Sequence, residues 1–106
     1  MYQAEGKKYT MTTVSGEATQ TVTGIKGRRL IELYVNPTTS TTVYTLTIID
    51  KDNHEFPFQA GWTGKYISNS FSNFPQYMIG NITFKISSAS KNEAFDVKLT
   101  FLEEVY

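Results

Sequence analysis

Ile82-Thr83-Phe84-Lys85-Ile86 and Phe95-Asp96-Val97-Lys98-Leu99-Thr100-Phe101 decide the fold. In both stretches apolar and polar residues alternate strictly. Successive side chains of a β-strand point to opposite faces, so a period of two marks a strand with one face on a core and the other in water. Between the two lies Ser88-Ala89-Ser90-Lys91-Asn92-Glu93, which is polar and turn-like. The pair therefore reads as an antiparallel hairpin. Its best register sets Lys85 opposite Asp96, Phe84 opposite Val97 and Ile86 opposite Phe95. The row Ile82, Phe84, Ile86, Phe95, Val97, Leu99 and Phe101 is expected to be the most buried part of the chain.

The same signal extends towards the N-terminus. Tyr44, Leu46 and Ile48 alternate with Thr45 and Thr47, and Asp50-Lys51-Asp52-Asn53 follows as a turn. His54 to Gln59 reads as a short strand with Pro57 inside it, hence an edge or a bulge. Arg29 to Asn36 is apolar on both faces, which predicts a central strand or one covered by a partner. Asn36-Pro37 ends it, because proline has no N–H to donate to a ladder. Tyr9 to Val14 and Thr19 to Thr23 are weaker strands split by Ser15-Gly16, and Gly24 and Gly27 punctuate the approach to Arg29. Lys65 to Ser70 is one more candidate. No window carries helical periodicity. The chain has fifteen threonines and an aromatic content of 14%, both suited to pleated surfaces. The fold class is all-β: an antiparallel β-sandwich, Ig-like or jelly-roll, of about seven to nine short strands.

The chain has 106 residues, which is one domain, with residues 1–8 as a possible N-terminal arm. Ten basic residues balance ten acidic ones, against a dedicated nucleic-acid partner. With 40% hydrophobic and 19% charged residues, the chain can build a core and is not disordered. No apolar run reaches the ~20 residues of a membrane helix. MYQAEGKKYT lacks the apolar run of a secretion signal. Cysteine is absent. That removes disulfides, thiolate nucleophiles and zinc–cysteine sites, and fits assembly in a reducing compartment.

Little in the sequence suggests catalysis. His54 is the single histidine and sits in a turn between two strands, with no evident nucleophile to activate. Asp50 to Glu55 gathers several oxygen ligands, but the calcium loop needs glycine sixth and glutamate twelfth. This chain has Glu55 and Gly61 there. Gly61-Trp62-Thr63-Gly64-Lys65 has the wrong spacing for a phosphate loop. No cofactor or metal site is expected, and the protein is not expected to be an enzyme.

One segment stands apart. Phe56 to Ile79 holds seven aromatic residues in 24: Phe56, Phe58, Trp62, Tyr66, Phe71, Phe74 and Tyr77. Aromatic anchors among small polar residues are typical of protein interfaces. These seven are the candidate interface residues. The competing readings are a crossover that caps the core and, as a further variant, a platform for stacking sugars.

Three stretches carry a family resemblance. They are Thr21-Val22-Thr23-Gly24 leading to Arg29-Leu30-Ile31-Glu32-Leu33-Tyr34-Val35-Asn36-Pro37, then Val43-Tyr44-Thr45-Leu46-Thr47-Ile48-Ile49-Asp50, then Gly80 to Ile86 with Phe95 to Phe101. Their order resembles the small all-β head proteins of tailed bacteriophages that decorate or cement capsids. The resemblance covers most of the chain beyond residue 20 and brings no catalytic residues. It implies a homo-oligomeric sandwich that sits on the major capsid protein at the virion surface and is assembled in the bacterial host cytoplasm. The alternative is a carbohydrate- or receptor-binding sandwich of a phage tail or adhesin, so a glycan is the second choice of partner.

Overall fold

The computed structural model describes the backbone of residues 2–68 and 77–104, and the side chains within them except at 2, 3, 24–29, 77–80, 103 and 104. The described residues form seven successive strands: β1 (Tyr2–Thr12), β2 (Ala18–Pro37), β3 (Val43–Ile49), β4 (Glu55–Thr63), β5 (Tyr66–Ser68), β6 (Tyr77–Ser87) and β7 (Ala94–Glu104). None of the described residues is helical, as the absence of a helical period predicts.

β2 organises the molecule because it serves two sheets. From Ala18 to Arg29 it pairs with β6. From Arg29 to Pro37 it pairs with β7 on one side and, over Leu33–Val35, with β5 on the other. The first sheet therefore runs β1-β7-β2-β5, and the second runs β2-β6-β3-β4. Every pairing is antiparallel. The two sheets pack face to face as a β-sandwich that is not closed into a barrel. The handover falls where the sequence has Gly24 and Gly27. There the register against β6 shifts twice, between Val22 and Ile25 and between Ile25 and Arg28. Glycine suits such bulges and bends, because it lacks the Cβ that restricts the backbone. What reads in sequence as a weak strand before a strong one is thus a single bent strand.

The expected hairpin is corrected. β6 and β7 are not paired: β6 lies between β2 and β3, and β7 lies between β1 and β2. Lys85 is opposite Thr19 and Thr47, whereas Asp96 is opposite Thr10 and Asn36. On the outer face of its own sheet Lys85 reaches Glu17 and Glu55, each at 3.9 Å. The physical reason is that a strand with one apolar face can bury it beside a neighbour or across a sandwich. The polar segment 88–93 is long enough to cross the ~10 Å between packed sheets, and β1, β2 and β3 supply the edge partners. The faces are as expected. Ile82, Phe84, Ile86, Phe95, Val97, Leu99 and Phe101 are all at most 2% exposed. They meet in one core with Val22, Leu33, Val35, Tyr44, Leu46 and Ile48. Across the sheets, the Tyr44 ring meets Phe95 edge-on at 5.1 Å.

Residues 2–8, read from sequence as a possible arm, are the first part of β1, from Tyr2 opposite Glu104 to Lys8 opposite Lys98. β1 passes to β2 through Ser15 and Gly16, both at positive φ (53° and 78°). Val14 and Glu17 close this turn with two backbone hydrogen bonds. Two central residues at positive φ match the twist of the flanking strands.

The loops at this end are tied by side chains. The buried Thr13 hydroxyl donates to the Lys91 carbonyl at 2.9 Å and accepts from the Glu93 amide at 2.9 Å. The Glu93 carboxylate accepts from the Thr39 amide at 2.6 Å and from the buried Thr42 hydroxyl at 3.1 Å. Burial opposes ionisation of Glu93. The Thr39 amide, the Thr39 and Thr42 hydroxyls and the Lys91 charge outweigh it and hold the carboxyl below its ordinary value, since hydrogen bonds to the charged form favour that form.

Candidate interaction surface

The aromatic segment divides between core and surface. Phe58 is half-buried against the core, 6.5 Å from Phe84 and 6.2 Å from Tyr66. Tyr66 is buried, because its register with Val35 turns it inward. Phe56 is half-buried opposite Ile48. Trp62 is 38% exposed. Its indole N–H donates to the Lys65 carbonyl at 2.8 Å, and its ring stands edge-on to Tyr66 at 5.3 Å. Phe71 and Phe74 lie outside the described residues, as does the side chain of Tyr77, whose backbone is opposite Arg29.

A tight corner takes the chain from β4, at the edge of the second sheet, to β5, at the edge of the first. Gly64 stands at φ 78°, and a Cβ there would lie 2.7 Å from the Ser40 carbonyl oxygen. The Gly64 amide donates to the Thr42 carbonyl, and the Gly64 carbonyl accepts from the buried Tyr44 hydroxyl. Burial first, and then the neighbouring Tyr66, push the Tyr44 phenol well above its ordinary value. Both disfavour the phenolate, so the hydroxyl stays a donor. Trp62 stands at the surface just before this corner. Just beyond it Ile67, opposite Tyr34 in the ladder, is 63% exposed. The Lys65 ammonium lies 5.9 Å from the centroid of the Tyr34 ring, within cation–π range. Lys65, Ile67 and Tyr34 thus meet on the outer face of the first sheet, whereas Trp62, opposite the buried Tyr44, is exposed at the rim of the core side.

From Tyr34 the outer face of the first sheet continues as an open groove of about 580 Å³, whose lining includes the outward side chains of Lys8, Thr10, Glu32, Tyr34, Asp96 and Lys98. Alternation explains the set. Its members face away from Leu33, Val35, Val97 and Leu99, which are in the core. These side chains bring two ammoniums, two carboxylates, the Thr10 hydroxyl and the Tyr34 phenol ring. Tyr34, Lys65 and Ile67 were not among the expected interface residues. The available signal was the apolarity of Arg29 to Asn36 on both faces, which leaves Tyr34 outside once Leu33 and Val35 are inside.

His54 is exposed on the β3–β4 turn. Its Nδ1 is 3.2 Å from Asp50, and its backbone N–H donates to the same carboxylate at 2.8 Å. The Asp50 carboxyl is held below its ordinary value, chiefly by that His54 amide; burial works against it, and the Asp52 amide adds to it. Asn53 stands at φ 64°. Together these are the backbone and hydrogen bonding of a tight turn. Among the described residues no three His, Asp or Glu side chains are grouped to hold a metal ion, and no helix is long and apolar enough to cross a membrane.

The chain matches no protein-family model, and no curated protein is significantly similar to it.

Proposed function

We propose that the chain is a structural virion protein, a capsid decoration or cement subunit that binds the major capsid protein as a homo-oligomer and is assembled in the bacterial host cytoplasm. The resemblance described above suggests this class. The observation that carries the reading is the corner at Gly64, on either side of which Trp62 and Ile67 stand exposed. Covering such side chains with a partner stabilises a complex by several kcal/mol, at about 25 cal/mol per Å² before the cost of association. The role is mechanical: each copy bridges neighbouring capsid subunits, and many modest contacts add by avidity. The test is occupancy on purified particles. Ile67→Ser should lower the copy number per particle while the isolated subunit melts almost as wild type. Equal occupancy would overturn the assignment of this surface.

A second reading, a glycan-binding module, is favoured by the groove beside Tyr34. A flat ring is flanked there by Glu32, Asp96, Lys8 and Lys98. It offers a stacking face together with donors and acceptors for hydroxyls. Titration with oligosaccharides, read by amide chemical shifts, would map perturbations onto β2 and β7 if this reading holds, and Tyr34→Ala would remove them.

A further inference from the structure

Among the described residues four strand edges end the sheets, and three of them are interrupted. β4 contains Pro57 and two register shifts against β3, β5 has three residues, and the part of β2 in the second sheet shifts twice against β6. Sheets blunt their edges in these ways because a free row of N–H and C=O groups invites another strand. β1 is built differently. It pairs with β7 from Tyr2 to Thr12 without a shift, contains no proline, and has the end of the sheet on its other side. Glu5 and Lys7 stand near its middle, 3.7 Å apart. They are opposite Phe101 and Leu99, so they share the core-side face.

We infer that β1 is the pairing edge of a symmetric dimer, in which a second copy of this chain adds its own β1 antiparallel, centred on Gly6. Charge selects this register. Antiparallel copies keep both cores on the same side of the merged sheet only when residues of the same face are opposite one another. Centring on Gly6 sets Glu5 against the partner's Lys7, and Lys7 against the partner's Glu5. Centring on Glu5 or on Lys7 sets that residue against itself, with like charges in direct opposition. A twofold interface must be self-complementary, and Glu5-Gly6-Lys7 satisfies this about its own midpoint. Gly6 also brings no side chain to the axis. The space a Cβ would take is filled by the Lys98 stem, whose Cε lies 2.8 Å from that position. Strand pairing alone is at the small end of interfaces, so the association depends on concentration and gains weight when copies are held together on a lattice.

The inference rests on reading the chain as an assembling subunit. Its test needs no particle, so a monomeric protein that still attaches to capsids would overturn the edge assignment alone. Sedimentation of the purified protein over a wide concentration range should show a reversible monomer–dimer equilibrium. Glu5→Lys and Lys7→Glu should each give a folded monomer. Mixed together, these two should form a heterodimer, and the double swap Glu5→Lys/Lys7→Glu should dimerise like wild type. In the wild-type protein, alternate amides of β1 should gain protection from hydrogen exchange as concentration rises. A wild-type monomer at every concentration, single variants that dimerise like wild type, a mixture that stays monomeric, or exchange in β1 independent of concentration would each overturn the proposal.

Discussion

The two sheets are joined in two unlike ways. In the interior, Phe84, Ile86, Leu46 and Ile48 of one sheet face a core shared with Phe95, Val97, Leu99 and Phe101 of the other. At the loop end, Thr13, Thr39, Thr42 and Glu93 tie the segments before β2, before β3 and before β7 through hydrogen bonds. The interior contact is non-directional and collective. It tolerates changes of shape better than it tolerates charge. The loop contact is directional, and its Thr39 and Thr42 bonds depend on one carboxylate, so it responds to single atoms and to pH.

The largest effect should come from placing a charge in the interior. Val97 is 2% exposed. Val97→Asp buries a carboxylate without a partner, at a cost comparable to the whole stability of a small domain, about 5–15 kcal/mol. No cooperative thermal transition is expected; a soluble variant with a sharp one would reverse the assignment of faces.

Gly64→Ala probes the corner between the interior and the loop end. It forces a Cβ against the Ser40 carbonyl at a positive φ, for a loss of about 1–3 kcal/mol. Denaturant titration measures this directly, and an unchanged midpoint would mean that the 38–42 loop yields freely.

Glu93→Gln addresses the loop end through pH. The folded-state pKa of Glu93 is lowered. Its contribution is therefore present above the ordinary carboxylate value of about 4.3 and is lost as pH falls through the lower folded value. Wild-type stability should drop on acidification in that window, and the variant should show a shallower drop. Some acid sensitivity should remain, because the Asp50 carboxyl is depressed too. Identical pH profiles for the two proteins would remove Glu93 from the account.

The smallest effect on folding is expected outside both junctions. Ile67→Ser, at a position 63% exposed, should shift stability by about 1 kcal/mol or less, as surface positions do. Its consequence belongs to attachment, and a large loss of melting temperature would place Ile67 with the core instead.

Alternation in the sequence alone makes the inner faces legible. Phe95, Val97, Leu99 and Phe101 are buried where the pattern puts them, and Pro57 marks β4 as an edge. Pairing was not legible from the same pattern. Period two says which side of a strand is apolar, and nothing in it distinguishes a neighbour in the same sheet from one across the sandwich. That is why Lys85 and Asp96 fall in different sheets. The site was legible only in part. An aromatic-rich composition flagged Phe58 and Tyr66, which the register against β2 and the contact with Phe84 draw inward. Tyr34 and Ile67 form part of the exposed patch because they are opposite one another in a three-residue ladder, a relation that sequence distance conceals.

The pairing of the first strand with the last bears on how the chain comes into being. Tyr2 is opposite Glu104, so the ladder that completes the first sheet joins residues almost the whole chain apart. During synthesis β1 emerges before the other described strands and waits for β7. Every strand of the second sheet emerges before β7 does, so that layer can assemble while its counterpart is unfinished. A nascent chain held at this stage exposes the inner face that β7 later covers, which is the kind of surface that engages chaperones. Closure through such distant contacts also makes for slow folding compared with a helical domain of the same size.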